Sequence, residues 1–263
     1  MSKVALVTGG SSGIGREAAL ALAKAGLRVF ELSRSGSDCA GVEHITGDVT
    51  DPASVEHAVQ YITENCRRLD ILVCCAGFGI SGAVEFTERE AAGRQMDVNF
   101  FGTVNTVKAV LPVMREQGCG RIVCTSSVAG AIAIPFQTFY SASKAAINAY
   151  VCALRSEVAP FGIEVCGVMP GDASTGFTAA RQKSCEGDEV YGGRISRSVA
   201  GMEKDETHGA PASVIGGFIA GIAVKKRVKP LYVPGFKYRL FTALAKVLPT
   251  SAVCWIVGKM YAS

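Results

Sequence analysis

Tyr140 and Lys144 stand four residues apart in the segment Ser126 to Lys144, SSVAGAIAIPFQTFYSASK. The run YSASK contains no proline, so a helix over it puts the phenol and the amine on one face, a turn apart. An ammonium beside a phenol favours the phenolate and draws a tyrosine from its usual pKa of about 10 towards the range of a working general acid or base. Ser127 lies thirteen positions before Tyr140, where the strand-like run Arg121 to Thr125 ends. A hydroxyl there would hold the carbonyl oxygen that Tyr140 protonates. Together the three groups suit proton transfer to or from a carbonyl. Such a Tyr–Lys pair is also common on solvated helix faces, so its meaning rests on the elements around it.

The first of those elements is a turn. Residues 3 to 8 form a short apolar strand leading into TGGSSGIG at 8 to 15, and an Ala- and Leu-rich helical pattern follows over 16 to 25. Strand, glycine turn and helix start in that order make a phosphate site, with Ser11, Ser12 and Ile14 on the turn between the glycines. Gly9 permits the tight bend, Gly13 lets the backbone approach a pyrophosphate, and Gly15 allows helix and strand to pack closely. The spacing is G-x-x-x-G-x-G, which departs from G-x-G-x-x-G, and a plain tight turn is the competing explanation.

A second strand, Arg28 to Leu32, ends in Ser33 and Arg34. An acidic residue at that strand end would bind a ribose 2′-hydroxyl, whereas a hydroxyl followed by a guanidinium suits a 2′-phosphate, so NADP(H) is expected over NAD(H). A third strand over Glu43 to Thr46 leads to Asp48 and Val49, with Asp48 a candidate for the adenine amino group or for a turn. Asp51 and Pro52 read as the N-cap and first residue of a helix whose apolar face is Val55, Ala58, Val59 and Ile62. The remaining pattern predicts a fourth strand at Asp70 to Cys74 ending in Cys75, Ala76 and Gly77, a helical stretch over Thr87 to Gln117 containing Asn99, and a fifth strand at Arg121 to Thr125. The Tyr140 helix runs to about Ala159, and a sixth strand, Ile163 to Met169, ends in Pro170 and Gly171. Strands alternating with helices specify an α/β doubly wound parallel sheet, with Gly13, Ala76, Ser127 and Gly171 gathered along one edge. From Asp172 to about Ala210 the periodicity fades, as in a substrate lid; 211 to 224 reads as an apolar helix and Lys229 to Val233 as a seventh strand.

Length and composition narrow the function. A chain of 263 residues that is 49% hydrophobic with 30 glycines suits one α/β domain. The net charge of +4 is unevenly spread, because no Asp or Glu follows Glu206 while Lys225, Lys226, Arg227, Lys229, Lys237, Arg239, Lys246 and Lys259 all do. The first 206 residues therefore carry −4, which argues against a nucleic-acid footprint over the fold. Ten scattered cysteines with no C-x-x-C pair, and only three histidines, give neither a disulfide framework nor a metal site. The N-terminus enters a strand at once, so the expectation is a cytoplasmic protein without signal peptide; no uncharged apolar run reaches the ~18 residues of a spanning helix.

In order and spacing, TGGSSGIG at 8 to 15, GDV at 47 to 49, AG at 76 and 77, VNFFG at 98 to 102, SSVAG at 126 to 130, YSASK at 140 to 144 and PGDAST at 170 to 175 resemble the short-chain dehydrogenase/reductases. The resemblance is close over residues 3 to about 175. It implies a Rossmann fold, a nicotinamide cofactor contacted also through Pro170, Gly171 and Thr175, and a tetrad of Asn99, Ser127, Tyr140 and Lys144. In that family's mechanism Tyr140 is the acid or base, Ser127 polarises the carbonyl, Lys144 binds the nicotinamide ribose and lowers the tyrosine pKa, and Asn99 holds a water. The family commonly forms homodimers or homotetramers. Where it usually has N-N-A-G after the fourth strand, this chain has Cys74, Cys75, Ala76 and Gly77, and a thiol is a poorer hydrogen-bond partner than an amide. A buried packing role is expected for both thiols ahead of a redox one.

Beyond residue 175, VKKRVKPLYVPG and the tail after it resemble the branch containing 17β-hydroxysteroid and retinol dehydrogenases, which implies a lipophilic substrate such as a steroid. The tail over 236 to 263 shows one apolar helical face, Leu240, Phe241, Leu244, Val247 and Leu248, and after Pro249 a second apolar stretch from Val253 to Tyr261. It reads as a helix pair covering the cleft or an interface, with peripheral binding to anionic lipid as the alternative. The expected activity is NADP(H)-dependent interconversion of a ketone and a secondary alcohol. A 3-oxoacyl-thioester reductase and a non-catalytic NADP(H) sensor or scaffold are the competing functions.

Overall fold

The computed structural model describes residues 2–263. Seven strands, β1 (Val4–Thr8), β2 (Arg28–Ser33), β3 (Val42–Thr46), β4 (Ile71–Cys74), β5 (Gly120–Thr125), β6 (Ile163–Val168) and β7 (Leu231–Tyr232), form one parallel sheet in the order β7-β6-β5-β4-β1-β2-β3. Every residue of β1 and β4 is buried. Strands covered on both faces need that continuous apolar run of Val, Leu, Ile and Ala, and the sequence supplies it. On one face lie α1 (Gly13–Lys24) and α7 (Ala212–Ala223), meeting the sheet through Ala18, Leu22, Ile215 and Ile219. On the other lie α2 (Pro52–Cys66), α4 (Gly102–Gln117) and α5 (Thr138–Val158), through Ile62, Val107, Met114, Ile147 and Val151. Asp51 caps α2 as its sequence requires, its Oδ1 accepting from the Ala53 amide at 3.0 Å.

The chain winds outward through β1, β2 and β3, then returns to place β4 on the other side of β1. The reversal opens a crevice at the carboxyl ends of β1 and β4, where ligands bind in such sheets. Gly9 and Ala76, from the turns after those two strands, are so close that a Cβ on Gly9 would stand 2.8 Å from Ala76 Cα.

The stretch Thr87 to Gln117 is helical, as its pattern predicts, with one irregularity. It holds α3 (Arg89–Met96), a π turn at Asp97–Phe101 and then α4, because Asn99 turns inward to bond the Phe78 backbone and the ladder widens to let it. Residues 172 to 210 are more regular than their composition suggests, for they contain the 14-residue α6 (Arg194–Thr207). Its buried Ile195, Val199 and Met202 fall at helical spacing, a periodicity masked by the polar residues between them. Two short parallel pairings tie this segment down, Ile80–Ser81 with Gln182–Lys183 and Ala173–Ser174 with Ala210–Pro211.

The C-terminal cations do not share one surface. The loop carrying Lys225, Lys226 and Arg227 sits at the amino edge of the sheet, its backbone bonded to Arg121 and Glu164 at the starts of β5 and β6. The tail helices α8 (Phe236–Val247) and α9 (Thr250–Tyr261) cover the opposite, carboxyl edge. The eight C-terminal cations thus divide into two groups, because β7 carries the chain from one edge to the other.

Gly15 is a tight point of this frame: a Cβ there would stand 2.2 Å from the Gly9 carbonyl oxygen. Gly15→Val must therefore open the turn, and it is expected to weaken NADPH binding at least a hundredfold by calorimetry and to lower the urea midpoint. Unchanged cofactor affinity would mean that the turn does not hold the dinucleotide.

Candidate active site

A single cavity of about 1090 Å³ runs along the carboxyl edge of the sheet. Its inner end is the glycine turn. Gly9 and Gly13 take left-handed φ values of 66° and 54°, and Ser12 enters α1 with its side chain making no cap. The amides of Gly13, Ile14 and Gly15 find no acceptor among the described residues, so three donors at a positive helix end point at whatever occupies the cavity. Ser11, Ser33, Arg34, Asp48, Val49, Ala76, Gly77, Pro170, Gly171 and Thr175 line the same cavity, as do Ser127, Tyr140 and Lys144. Asn99 alone among the predicted site residues does not; it lies fully buried behind the wall.

Details refine several of these positions. Asp48 makes a turn, its Oδ1 accepting from the Thr50 amide at 2.9 Å and the Thr50 hydroxyl at 2.8 Å. Its second oxygen has no protein partner among the described residues, so the turn and a ligand can share the carboxylate. Arg34 is exposed and joins no ion pair among the described residues. The Ser33 hydroxyl is less available than its sequence position suggests, since it reaches Glu31 Oε1 at 3.1 Å and the Ser35 carbonyl at 3.0 Å. Glu31 is a carboxylate the strand pattern conceals: buried beneath Gly10, it bonds the His44 ring and keeps Oε2 without a partner.

Ser127, Tyr140 and Lys144, the candidate reacting groups, meet where β5, β6 and α5 converge. Ser127 follows β5 in an extended conformation and its oxygen accepts from the Ala129 amide at 3.1 Å, which leaves the hydroxyl hydrogen for the cavity. The neighbouring Ser126 hydroxyl donates to the Lys144 carbonyl at 2.9 Å, locking the strand end to the helix that bears Tyr140. Lys144 Nζ donates to the Thr125 carbonyl at 3.0 Å and lies 5.7 Å from the centre of the Tyr140 ring. Asn99 clamps the wall behind them: Oδ1 accepts from the Phe78 amide, and Nδ2 donates to the Phe78 carbonyl and to Ser143 Oγ. Both amide hydrogens are used this way.

The electrostatics differ from the expected pair. Burial pushes the Tyr140 phenol up to about 12, with the Ser127 hydroxyl as the main opposing influence and the Glu206 carboxylate adding to the rise. Lys144 is pushed down to about 8 by burial. Desolvation is the largest cause of both shifts, and it favours the neutral form of each group. Cys75 rises to about 11 through burial and Cys74 also rises, chiefly through its contact with Cys124; neither is a thiolate at neutral pH. Cys75 Sγ lies 3.0 Å from the Thr125 hydroxyl, which gives the thiols the packing role their place at the end of β4 predicts.

Other residues of this site have no signal in the sequence. Phe177, on a single helical turn at Phe177–Ala180, packs on Tyr140 with ring centres 5.6 Å apart. Arg181, with its side chain fully buried, pairs with Glu206, which lines the cavity near Tyr140. In the tail, the cavity-facing side of α8 is Lys237, Tyr238, Phe241, Leu244, Ala245 and Leu248, a face rotated from the predicted one, with Leu240 and Val247 turned outward. The Tyr238 hydroxyl bonds Asp172, and its ring presses on Gly171 so closely that a Cβ there would lie 2.4 Å away. The tail is thereby part of the cavity wall.

A sequence profile described as "short chain dehydrogenase" matches residues 3–186. A 3-ketodihydrosphingosine reductase of Bacteroides thetaiotaomicron is 40% identical over 261 residues, covering 98% of this chain and 94% of its own. A short-chain dehydrogenase of Streptomyces avermitilis superposes with a TM-score of 0.84 at 29% identity, covering 98% of both chains. ElxO, solved with NADP bound, superposes with a TM-score of 0.75 at 25% identity over 91% of this chain and 100% of its own.

The desolvated lysine makes a stability prediction. Its folded pKa of about 8 lies below its ordinary 10.5, so charge on Lys144 destabilises the fold fully below pH 8, and the cost fades as pH rises to 10.5. Lys144→Met is expected to raise unfolding free energy at pH 7 by roughly 1 to 3 kcal/mol, with a smaller gain at pH 10. Urea denaturation at the two pH values checks both the gain and its direction with pH.

Proposed function

The chain belongs to the short-chain dehydrogenase family and is an oxidoreductase of alcohol and carbonyl groups; on that premise we propose that it reduces the ketone of a lipophilic, long-chain molecule with NADPH. The observation that carries this is the single cavity in which Ser127 and Tyr140 lie between the free amides of the glycine turn and an apolar wall built by α8 and α9. The donors at the start of α1 and the open Asp48 oxygen fit a dinucleotide. A bound reduced nicotinamide supplies hydride to the carbonyl carbon.

The chain's own residues do the rest. Ser127 donates its free hydroxyl hydrogen to the carbonyl oxygen and positions it. Tyr140, protonated by virtue of its burial, delivers its phenolic proton to that oxygen as negative charge develops there. Lys144, held by the Thr125 carbonyl, brings a positive charge beside the phenolate so formed and offers its remaining hydrogens to a ribose. Asn99 keeps the Gly77–Phe78 backbone in place behind them. Phe177 and the Arg181–Glu206 pair exclude water on the lid side.

NADP(H) is favoured by the exposed, unpaired Arg34 at the cavity rim and by the relative solved with NADP. The substrate proposal leans on the B. thetaiotaomicron relative, whose name gives it a ketone on a lipid chain, and whose likeness extends through the tail. A long chain is preferred on that ground to the steroid suggested by the tail sequence. Residues 2–263 contain ten cysteines, none in a disulfide, which suits a reducing cytosol. Assembly as a homodimer or homotetramer follows the family's habit.

Two variants test this. Tyr140→Phe is expected to bind NADPH within about twofold of the wild type and to lose at least a thousandfold in turnover on a long-chain ketone, followed by loss of reduced-cofactor absorbance. Retained turnover would remove Tyr140 as the acid, and faster reduction of acetoacetyl thioesters than of lipid ketones would favour the thioester reductase. Arg34→Asp should shift the ratio of kcat/KM for NADPH over NADH by at least tenfold towards NADH, and an unmoved ratio would overturn the assignment of cofactor.

A further inference from the structure

Among the described residues, nine of the seventeen large apolar side chains left exposed lie in α8, α9 and the turn between them. They fall into two sets. Phe241, Leu244, Leu248, Ile256 and Met260 are exposed and also line the cavity, so its mouth opens between the two helices. Phe236, Leu240, Val247 and Trp255 line no part of it. Phe236, Leu240 and Val247 share one face of α8 at helical spacing, and exposures of 74%, 46% and 84%, with 66% for Trp255, are far above what an apolar side chain keeps on a covered surface.

Beside this apolar face are Arg239, Lys246 and Lys259, with Lys237 at the cavity rim, and no Asp or Glu occurs after Glu206. The nearby carboxylates of Asp172 and Asp205 are engaged by the hydroxyls of Tyr238 and Tyr261. Those two bonds also pin α8 and α9 to the body, so the face is presented on a fixed support. A second copy of the chain is a poor partner for it, because a two-fold contact sets the patch against itself, cations against cations with no carboxylate to pair them. An anionic bilayer meets both features: apolar side chains enter the boundary between headgroups and acyl chains, a tryptophan sits at headgroup level, and cations face lipid phosphate.

We propose that the outer face of α8 and α9 docks on an anionic membrane surface, and that a lipophilic ketone passes from the bilayer into the cavity through the mouth between these helices. The second half rests on the function proposed above; the docking does not. No helix of the described chain is long and apolar enough to cross a membrane, so the contact is peripheral.

Trp255 is the only tryptophan and reports on the contact directly. Full-length protein is titrated with vesicles of phosphatidylcholine alone or containing about one-third phosphatidylglycerol. With the anionic vesicles, Trp255 emission should shift to the blue and become shielded from a soluble quencher, with at least tenfold weaker binding to phosphatidylcholine alone or in high salt. Val247→Asp, and Lys246→Glu combined with Lys259→Glu, should each weaken binding at least tenfold while leaving turnover of a small water-soluble ketone unchanged. No spectral shift with anionic vesicles overturns the proposal. So does a shift that follows protein concentration without lipid, which marks a self-interface, and so does undiminished binding by these variants, which places the contact elsewhere. Binding by the wild type that is lost in the variants, in a protein that reduces no ketone, upholds the docking and overturns only the proposed function.

Discussion

Lys144 keeps an ammonium group largely out of water at the wall of the cavity, and much of the architecture answers to that one cost. Its single hydrogen-bond partner in the protein is the Thr125 carbonyl at the end of β5. Burial therefore lowers its affinity for a proton. The position is tolerable because two elements over-determine it: α5 carries the residue, and Ser126 ties the Lys144 carbonyl back to the strand end. The same desolvation holds Tyr140 in its protonated form.

The carboxyl edge of the sheet collects the other parts. β1 and β4 deliver the glycine turn and the Cys75–Gly77 backbone side by side, β5 delivers Ser127, and β6 delivers Pro170 and Gly171. Parallel strands with right-handed crossovers bring such turns to one side without any direct contact between the segments that supply them. What closes the cavity comes from later in the chain. The lid segment adds Phe177 and the Arg181–Glu206 pair, and the tail adds an apolar wall latched through Tyr238 to Asp172. The cavity is consequently polar and donor-rich at one end and apolar at the other.

Local regularities made much of this legible from the amino acids. Strand runs of Val, Ile and Leu, glycines at a βα turn, and the Asp51–Pro52 helix start are read from neighbours a few residues apart, and all appear where expected. Ser127, Tyr140 and Lys144 could be singled out because the spacing between Tyr140 and Lys144 is local and the strand end before Ser127 is visible, whereas Asn99 was singled out only through the family resemblance. Illegible features depend on partners distant in sequence. The π turn at Asp97–Phe101 exists because Asn99 reaches Phe78, and the rotation of α8 is set by the seating of Tyr238 on Gly171. Glu31 was hidden because a strand pattern marks it only as one more alternating position; its proximity to Ser33 and His44 comes from pairing of β2 with β3.

The sequence by itself determined the order of elements, the glycine turn after the first strand and the spacing of Tyr140 and Lys144, since each of these is written in residues close enough to interact along one strand or helix. Only the tertiary structure decided how the charges and the greasy surfaces are shared out. It placed Lys225, Lys226 and Arg227 at one edge of the sheet and Lys237, Arg239, Lys246 and Lys259 at the other, though all lie in one basic stretch of sequence. It also decided how much water remains around Tyr140 and Lys144: sequence spacing puts a cation near a phenol, but the burial that dominates both pKa shifts is a property of the packed whole.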